Sequence, residues 1–280
     1  MTTRVSALSA EAEFRRLVQS NLRSETSALK VGVIVALTVI PCVLGCFEAT
    51  GGVFRDDLDI LALIVTSPLQ LVFPLVVCVA ANTRFAAELG HRFVAATRTR
   101  APIERYLGAK VASSAILGAA SGSLFALLPC ILAFGVWPLL GNPSVDPGVY
   151  GLTTGEAVRD AGNRFSFTEL IPISTLLYAL VYSAWVAFAG AMYGAMGVLT
   201  LSLAKNRLLG FSAPFLIFIA QSVLVALVGD VRFALVFSLF PFGLDQATLI
   251  PLLTQAGLAA GLVIVGVFVL RRSSTLPRFA

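Results

Sequence analysis

Charge is scarce in this 280-residue chain. Asp, Glu, Lys and Arg make up only 12% of it and hydrophobic residues 58%, whereas a soluble globular domain carries about 25% charged residues. An ordinary soluble fold is therefore excluded, and an integral membrane protein is expected. Apolar runs consume almost the whole length, so no separate soluble domain fits and residues 1–280 form a single transmembrane domain. Histidine occurs once, as His91. The cysteines, Cys42, Cys46, Cys78 and Cys130, all lie in apolar runs. Cys42 and Cys46 stand one helical turn apart, but no His or further Cys is placed to complete a zinc site. They read as small buried hydrophobes, and no metal is expected. Val43-Leu44-Gly45-Cys46 has the look of a lipoprotein cleavage site, but the long stretch before it, with Glu11, Glu13 and Glu25, is unlike a signal peptide. A retained first span is the expectation.

Catalytic motifs are missing as well. There is no GxxxxGK[ST] to cradle nucleotide phosphates, no HExxH, no paired-Asp membrane motif and no CxxC. Gly210-Phe211-Ser212-Ala213 is faintly similar to the serine turn of an intramembrane protease, but a nucleophilic Ser needs a base. The sole histidine sits in a polar loop, so Ser212 reads as a helix-packing residue and the chain is not expected to be an enzyme. Basic residues are scattered over short loops rather than gathered on one face, which removes a nucleic-acid reading.

What the chain does have is spans. About 20 helical residues cross the hydrocarbon, and charge-free runs of that order occupy 31–47, 60–81, 111–140, 170–204, 208–229 and 247–270. The expected fold is all-α, with six transmembrane helices. The third and fourth runs are long enough to tilt, to kink at Pro129 or to project. Residues 231–245 hold an apolar stretch too short to cross, which reads as a re-entrant or interfacial hairpin backed by protein or water. Residues 10–29 place Phe14, Leu17, Val18 and Leu22 on one helical face and Arg15, Arg16 and Arg23 elsewhere, the pattern of an interfacial helix. A disordered polar tail is the alternative. In the loop 141–169, Asn142-Pro143 and Asp146-Pro147-Gly148 are turn signals, with a short helix expected after Thr154. That loop serves either in substrate release or partner recognition, or as a solvated connection.

Orientation follows from loop charge. With both termini cytoplasmic, the inner segments hold sixteen of the twenty Lys and Arg residues, and the outer loops only Arg55, Arg159, Arg164 and Arg232. Ten of the fifteen acids fall outside, among them Asp56, Asp57, Asp59, Asp146, Glu156 and Asp160. A multi-pass protein of the cell membrane is expected. Gly118 and Gly122, Gly190 and Gly194, and Gly257 and Gly261 have GxxxG spacing and mark packing faces.

The stretch 82–110 is a polar island between two spans. Phe85, Leu89 and Phe93 recur four residues apart with Glu88 and Arg92 beside them, and Pro102 opens a second helix carrying Ile103, Tyr106 and Leu107. A helix, an elbow and a helix on the membrane surface are expected. Positive-inside anchoring would account for the arginines but not for the apolar spacing.

These residues resemble the coupling loop of membrane permeases of ABC transporters, type-2 exporter class. The points of likeness are Glu88-x-Gly90, the basic pair Arg98 and Arg100, and Arg105-Tyr106-Leu107-Gly108-Ala109-Lys110 leading into a span, with a second match at Asn206-Arg207-Leu208-Leu209 and Pro214-Phe215-Leu216. With the topology, they cover most of the chain. The resemblance implies a permease subunit of an ATP-driven exporter that moves a hydrophobic or amphipathic substrate (peptide, drug or lipid-like) outward. It implies a second permease copy or homologous permease and a separate ATP-binding subunit that carries ATP and Mg, with no cofactor on this chain. Phe85, Glu88, Leu89, Gly90, Phe93, Arg98 and Arg100 would then couple to the ATPase, and the second and fifth spans would line the pathway, with Gln70 and Gln221 as polar contacts. Helix packing is the alternative for both glutamines. A secondary transporter needs an ionisable group within the membrane, and none lies in the six runs. A non-transporting membrane subunit of a larger complex would show the same topology.

Overall fold

The computed structural model describes residues 2–66, 69–90, 102–141, 144–240, 244 and 248–272, with side chains for all of these except residues 2–10 and 69. The described residues are helical, joined by turns and one isolated bridge. In chain order the helices are α1 (Thr2–Glu25), α2 (Ala28–Ala49), α3 (Asp57–Val65), α4 (Leu69–Gly90), α5 (Ile103–Ile131), α6 (Thr154–Arg164), α7 (Thr175–Leu203), α8 (Arg207–Val228), α9 (Leu235–Leu239) and α10 (Leu249–Arg272). Among the described residues, six helical stretches are long and apolar enough to cross a membrane: α2, α4, α5 with its continuation to Leu139, α7, α8 and α10. The chain is thus a multi-pass, all-α membrane protein.

Several boundaries depart from the sequence pattern for identifiable reasons. The run 60–81 is not one helix: α3 stops at Val65 and α4 starts at Leu69, and the sequence between them includes Pro68, a residue type that disfavours an unbroken helix. Nor does α4 end at Asn82. It continues to Gly90, because Asn82 donates from Nδ2 to Gly194 O at 3.1 Å and is buried against α7 instead of breaking the helix. The first half of the expected surface loop is therefore the end of the second span, and its second half, from Ile103, is the start of the third. α7 begins at Thr175 rather than 170, capped by Ser174, whose Oγ accepts from Leu177 N at 3.4 Å. Beyond Pro129, α5 passes through a π turn at Leu132–Val136 and runs on to Leu139, the irregularity expected where proline removes a rung from the ladder.

α7 is the axis of the bundle: 72% of its most apolar window is buried, against 11% for α8 and α10. Its most extensive partner is α5, and glycines set how close the two come. A Cβ on Gly118 would lie 2.2 Å from Gly190 O, one on Gly122 2.5 Å from Val186 O, and one on Gly194 2.3 Å from Ser114 O. The GxxxG pairs of α5 and α7 thus interlock, whereas Gly257 and Gly261 on α10 meet no atom within 4 Å. Around this seam Phe73 makes edge-on contacts with Phe125, Tyr193 and Phe240 at 5.2, 6.1 and 5.7 Å. A second apolar cluster joins Phe85, Ile103, Tyr106, Leu107, Val198 and Leu201 where α4, α5 and α7 meet.

Candidate functional site

The base of α4 and α5 carries Glu88, Arg105 and Lys110, three of the charged side chains that the resemblance singles out. Apolar spacing along α4 turns Phe85 fully inward, onto the second cluster, and Leu89 half inward onto the same cluster. In the described part the spacing thus records packing against α5 and α7, and Phe85 offers no free ridge. Gly90 is exposed at the helix end, with the Arg207 guanidinium beside it. Phe93, Arg98 and Arg100, like His91 and Arg92, lie outside the described residues.

Glu88 is the hub. Its Oε2 accepts from Tyr106 OH at 2.6 Å and lies 2.8 Å from Lys110 Nζ, and its Oε1 lies 3.3 Å from Arg84 Nε. The Lys110 side chain is 3% exposed and that of Glu88 14%. Lys110 is held by charge rather than by a directed hydrogen bond, with its ammonium 5.6 Å from the Tyr106 ring and 5.9 Å from that of Phe85. Two residues on successive turns of α4, Arg84 and Glu88, are thereby joined to two on successive turns of α5, Tyr106 and Lys110. Helix α1 lies over this base. Glu13 pairs with Arg105, Phe14 sits against Gly108, and Arg84 donates to Ser24 O at 3.2 Å. Phe14, Leu17, Val18 and Leu22 are half-buried while Arg15, Arg16 and Arg23 are exposed, as the amphipathic pattern of α1 requires.

Both helices belong to stretches apolar enough to cross a membrane, so ionisable groups do occur within them, at their ends. Sequence runs chosen for lack of charge could not show this. The pairing of Glu88 with Arg84 is readable from their spacing of four; the pairing with Lys110 requires the α4–α5 hairpin.

A second charged cluster links the α2–α3 connection to α6. Arg164 pairs with Asp59, with Asp56 at 3.4 Å and with Asp160 at 2.8 Å, and Arg55 pairs with Asp160 at 2.7 Å. The Arg55 guanidinium also stacks 4.9 Å from the Tyr150 ring. Backbone bonds reinforce the link: Phe54 N donates to Ser144 O at 2.7 Å and Asp146 N to Phe54 O at 2.9 Å. α6 is the helix expected after Thr154, and a capping box of Thr153 and Glu156 starts it. Burial pushes the Asp56 and Asp57 carboxyls up. Burial also works against ionisation of Asp160, but the Arg55 hydrogen bond and the charge of Arg164 outweigh it and hold that carboxyl below its ordinary value. No motif announced this cluster; the surplus of acids in these loops was the only sign of it.

The glutamines differ from each other. Gln70 is buried in α4. Gln221 spends both ends of its amide on the α8–α9 turn, donating to Phe233 O at 2.8 Å and accepting from Leu235 N at 2.7 Å. Its geometry is that of a backbone clamp. Residues 231–240 fold as a 3₁₀ turn at Val231–Phe233 followed by α9, buried at Leu235, Ser238, Leu239 and Phe240. Trp185 Nε1 donates to Ser238 O at 3.0 Å, and Gln255 Nε2 to Ser238 Oγ at 2.9 Å.

No protein-family model, curated protein or solved structure matches this chain. Among the described residues no group of His, Cys, Asp and Glu is placed to hold a metal ion. Among the described residues, the α4–α5 base joins its two helices through Glu88, Tyr106 and Lys110.

Proposed function

We propose that this chain is the permease subunit of an ATP-driven exporter of the type-2 ABC class, working with a separate ATPase. The observation that carries the reading is the braced base of α4 and α5. The first eight residues of α5, Ile103 to Lys110, include Glu104, Arg105 and Lys110 and extend about 12 Å before its apolar run. They are tied to the end of α4 through Glu88. A partner acting on this base would move α4 and α5 together, and the interlocked glycines would pass the motion to α7.

In this reading the termini and the base are cytoplasmic, in line with the concentration of Lys and Arg there. The segment between α4 and α5 docks in a groove of the ATPase. α1 lies in the membrane interface, and residues 231–240 belong to a re-entrant element on the outer side. Two permease copies, or this chain and a homologue, enclose the pathway. ATP and Mg bind the partner, because this sequence contains no phosphate-cradling loop. An apolar lining suits a lipid-like molecule, a hydrophobic drug or an amphipathic peptide.

The buried Lys110–Glu88 pair favours one competing reading, ion-coupled transport. Against it, the pair sits at the helix ends and its carboxylate is already committed to Tyr106 and Arg84.

The test is to extract the tagged chain in mild detergent and identify what accompanies it by mass spectrometry. A stoichiometric P-loop ATPase is expected, and it should be lost when the exposed Ala87 is changed to Arg or the half-buried Leu89 to Asp. Absence of any ATPase after several gentle extractions would refute the reading and favour a subunit of a non-transporting complex.

A further inference from the structure

At the α1–α2 junction a slot opens sideways between α2 and the body of the bundle. Its apolar lining comes from Val31, Ile34 and Val35 of α2 and Leu117, Ala120 and Leu124 of α5. Ser121 also lines it, but its hydroxyl is turned onto Leu117 O at 2.9 Å and adds no free polar group. One end is different. There Glu25, Thr26 and Lys30 form the rim, with Lys30 Nζ 2.5 Å from Glu25 Oε2. The carboxylate is the deeper partner, 4% exposed against 15% for the Lys30 side chain, so the ammonium is the one a visitor meets. Arg23 is exposed on the preceding turn, and Arg84 reaches Ser24 O. The rim itself holds one cation and one acid, Lys30 and Glu25; Arg23 and Arg84 add positive charge on the turns beside it, with Arg84 offset in part by Glu88.

Depth in the membrane follows from sequence position. Lys30 is the third residue of α2, a helix long and apolar enough to cross a membrane. The charged rim then lies at the headgroup level, where a lysine extends its ammonium toward the interface. The slot runs from there along α2 into the hydrocarbon, and the Leu117 to Leu124 stretch of its far wall covers about 10 Å.

We propose that this slot holds one acyl chain of an anionic phospholipid, with the lipid phosphate against Lys30. Apolar walls at hydrocarbon depth take the chain, and Lys30, with Arg23 and Arg84 on the turns beside the slot, selects the headgroup. The site does not depend on which partner drives the protein, so it stands or falls separately from the transport reading.

Native mass spectrometry of the purified, delipidated full-length chain tests it, with phosphatidylglycerol and phosphatidylcholine of identical acyl chains as probes. Wild-type protein should retain phosphatidylglycerol roughly fivefold better, the factor that one ammonium near an anionic headgroup supplies. Lys30→Gln should abolish that preference and Lys30→Arg keep it. Glu25→Gln, which frees the ammonium, should increase it. Ala120→Trp fills the slot and should lower retention of both lipids. Equal retention of the two lipids by wild-type protein would overturn the headgroup assignment, and unchanged retention by Ala120→Trp would overturn the slot. Should Ala120→Trp fail to insert, the Lys30 and Glu25 variants still decide, because a preference indifferent to all three places the lipid elsewhere.

Discussion

Replacing Lys110 with Met keeps the length of the side chain and removes its charge, which isolates what the ammonium does for Glu88. Both side chains are mostly hidden from solvent, at 3% and 14% exposure. Deleting one partner of a buried pair leaves the other charge uncompensated and costs about 3–5 kcal/mol. The lower end is expected here, since Tyr106 OH and Arg84 still hold the Glu88 carboxylate. Adding Glu88→Leu should then restore stability, leaving roughly 1 kcal/mol lost for the Tyr106 hydroxyl that no longer has its acceptor. Cys78 and Cys130 are buried in the core and free, so a thiol-reactive dye reports unfolding in detergent without further labelling. The single variant should melt on the order of 10 °C below wild type, and the double variant within a few degrees of it. If the double variant melts as low as the single, or the single as high as wild type, the pair does not brace the base.

The glycine seam predicts an asymmetry. Gly118→Leu or Gly190→Leu drives a side chain into opposing backbone and should abolish folding, while Gly257→Ala and Gly261→Ala, with nothing within 4 Å, should leave the same dye melt within about 0.5 kcal/mol of wild type. Gln221→Leu removes two hydrogen bonds to the α8–α9 turn and should cost about 1–3 kcal/mol; an unchanged melt would show that Phe233 and Leu235 find other partners. The network at Arg55 and Arg164 should respond to acid. Asp160 has a depressed folded value, so its contribution is complete above the ordinary carboxyl range and lost as pH falls through the depressed one. Asp56 and Asp57 act in the opposite sense, because their raised values mean that protonation relieves a burial cost as pH falls through them. Asp160→Asn should therefore reduce the loss of α6 protection on acidification, measured by amide hydrogen exchange, whereas Asp57→Asn should leave that loss in place.

Hydrophobic period and length were enough to read six spans, α1 with its apolar face, and the helix after Thr154, because each depends on local spacing or a local cap. Boundaries failed where a long-range contact decided them. Asn82 looks like the first residue of a polar loop until Gly194 O accepts its amide, and Phe85 looks like part of a docking face until α5 folds back over it. Glu88 was legible as a charged residue on the helix of a polar loop, but its bond to Lys110 spans a hairpin that no local pattern encodes. The same holds outside the spans, where Arg164 joins acids that are about 105 residues away in the chain.

The uneven burial of the spans bears on where this protein can move. α5 and α7 are locked by backbone contact across Gly118, Gly122, Gly190 and Gly194, where a change of crossing angle would collide carbonyls with neighbouring Cα atoms. Such a seam shifts as a unit or not at all, since close-packed surfaces do not deform gradually. α2, α8 and α10 bury less than a fifth of their apolar windows, and α8, although it packs against both α4 and α7, has no glycine contact as close as those of the seam. Reorientation should therefore occur between the α5–α7 unit and the peripheral helices, with α4 moving alongside α5 because Glu88 and Asn82 tie it to both partners. Cysteine pairs introduced across the two interfaces give the check: a crosslink between α5 and α7 should leave the proposed export intact, and one between α8 and α4 should block it. The opposite result would place the moving boundary inside the glycine seam and refute this division of the bundle.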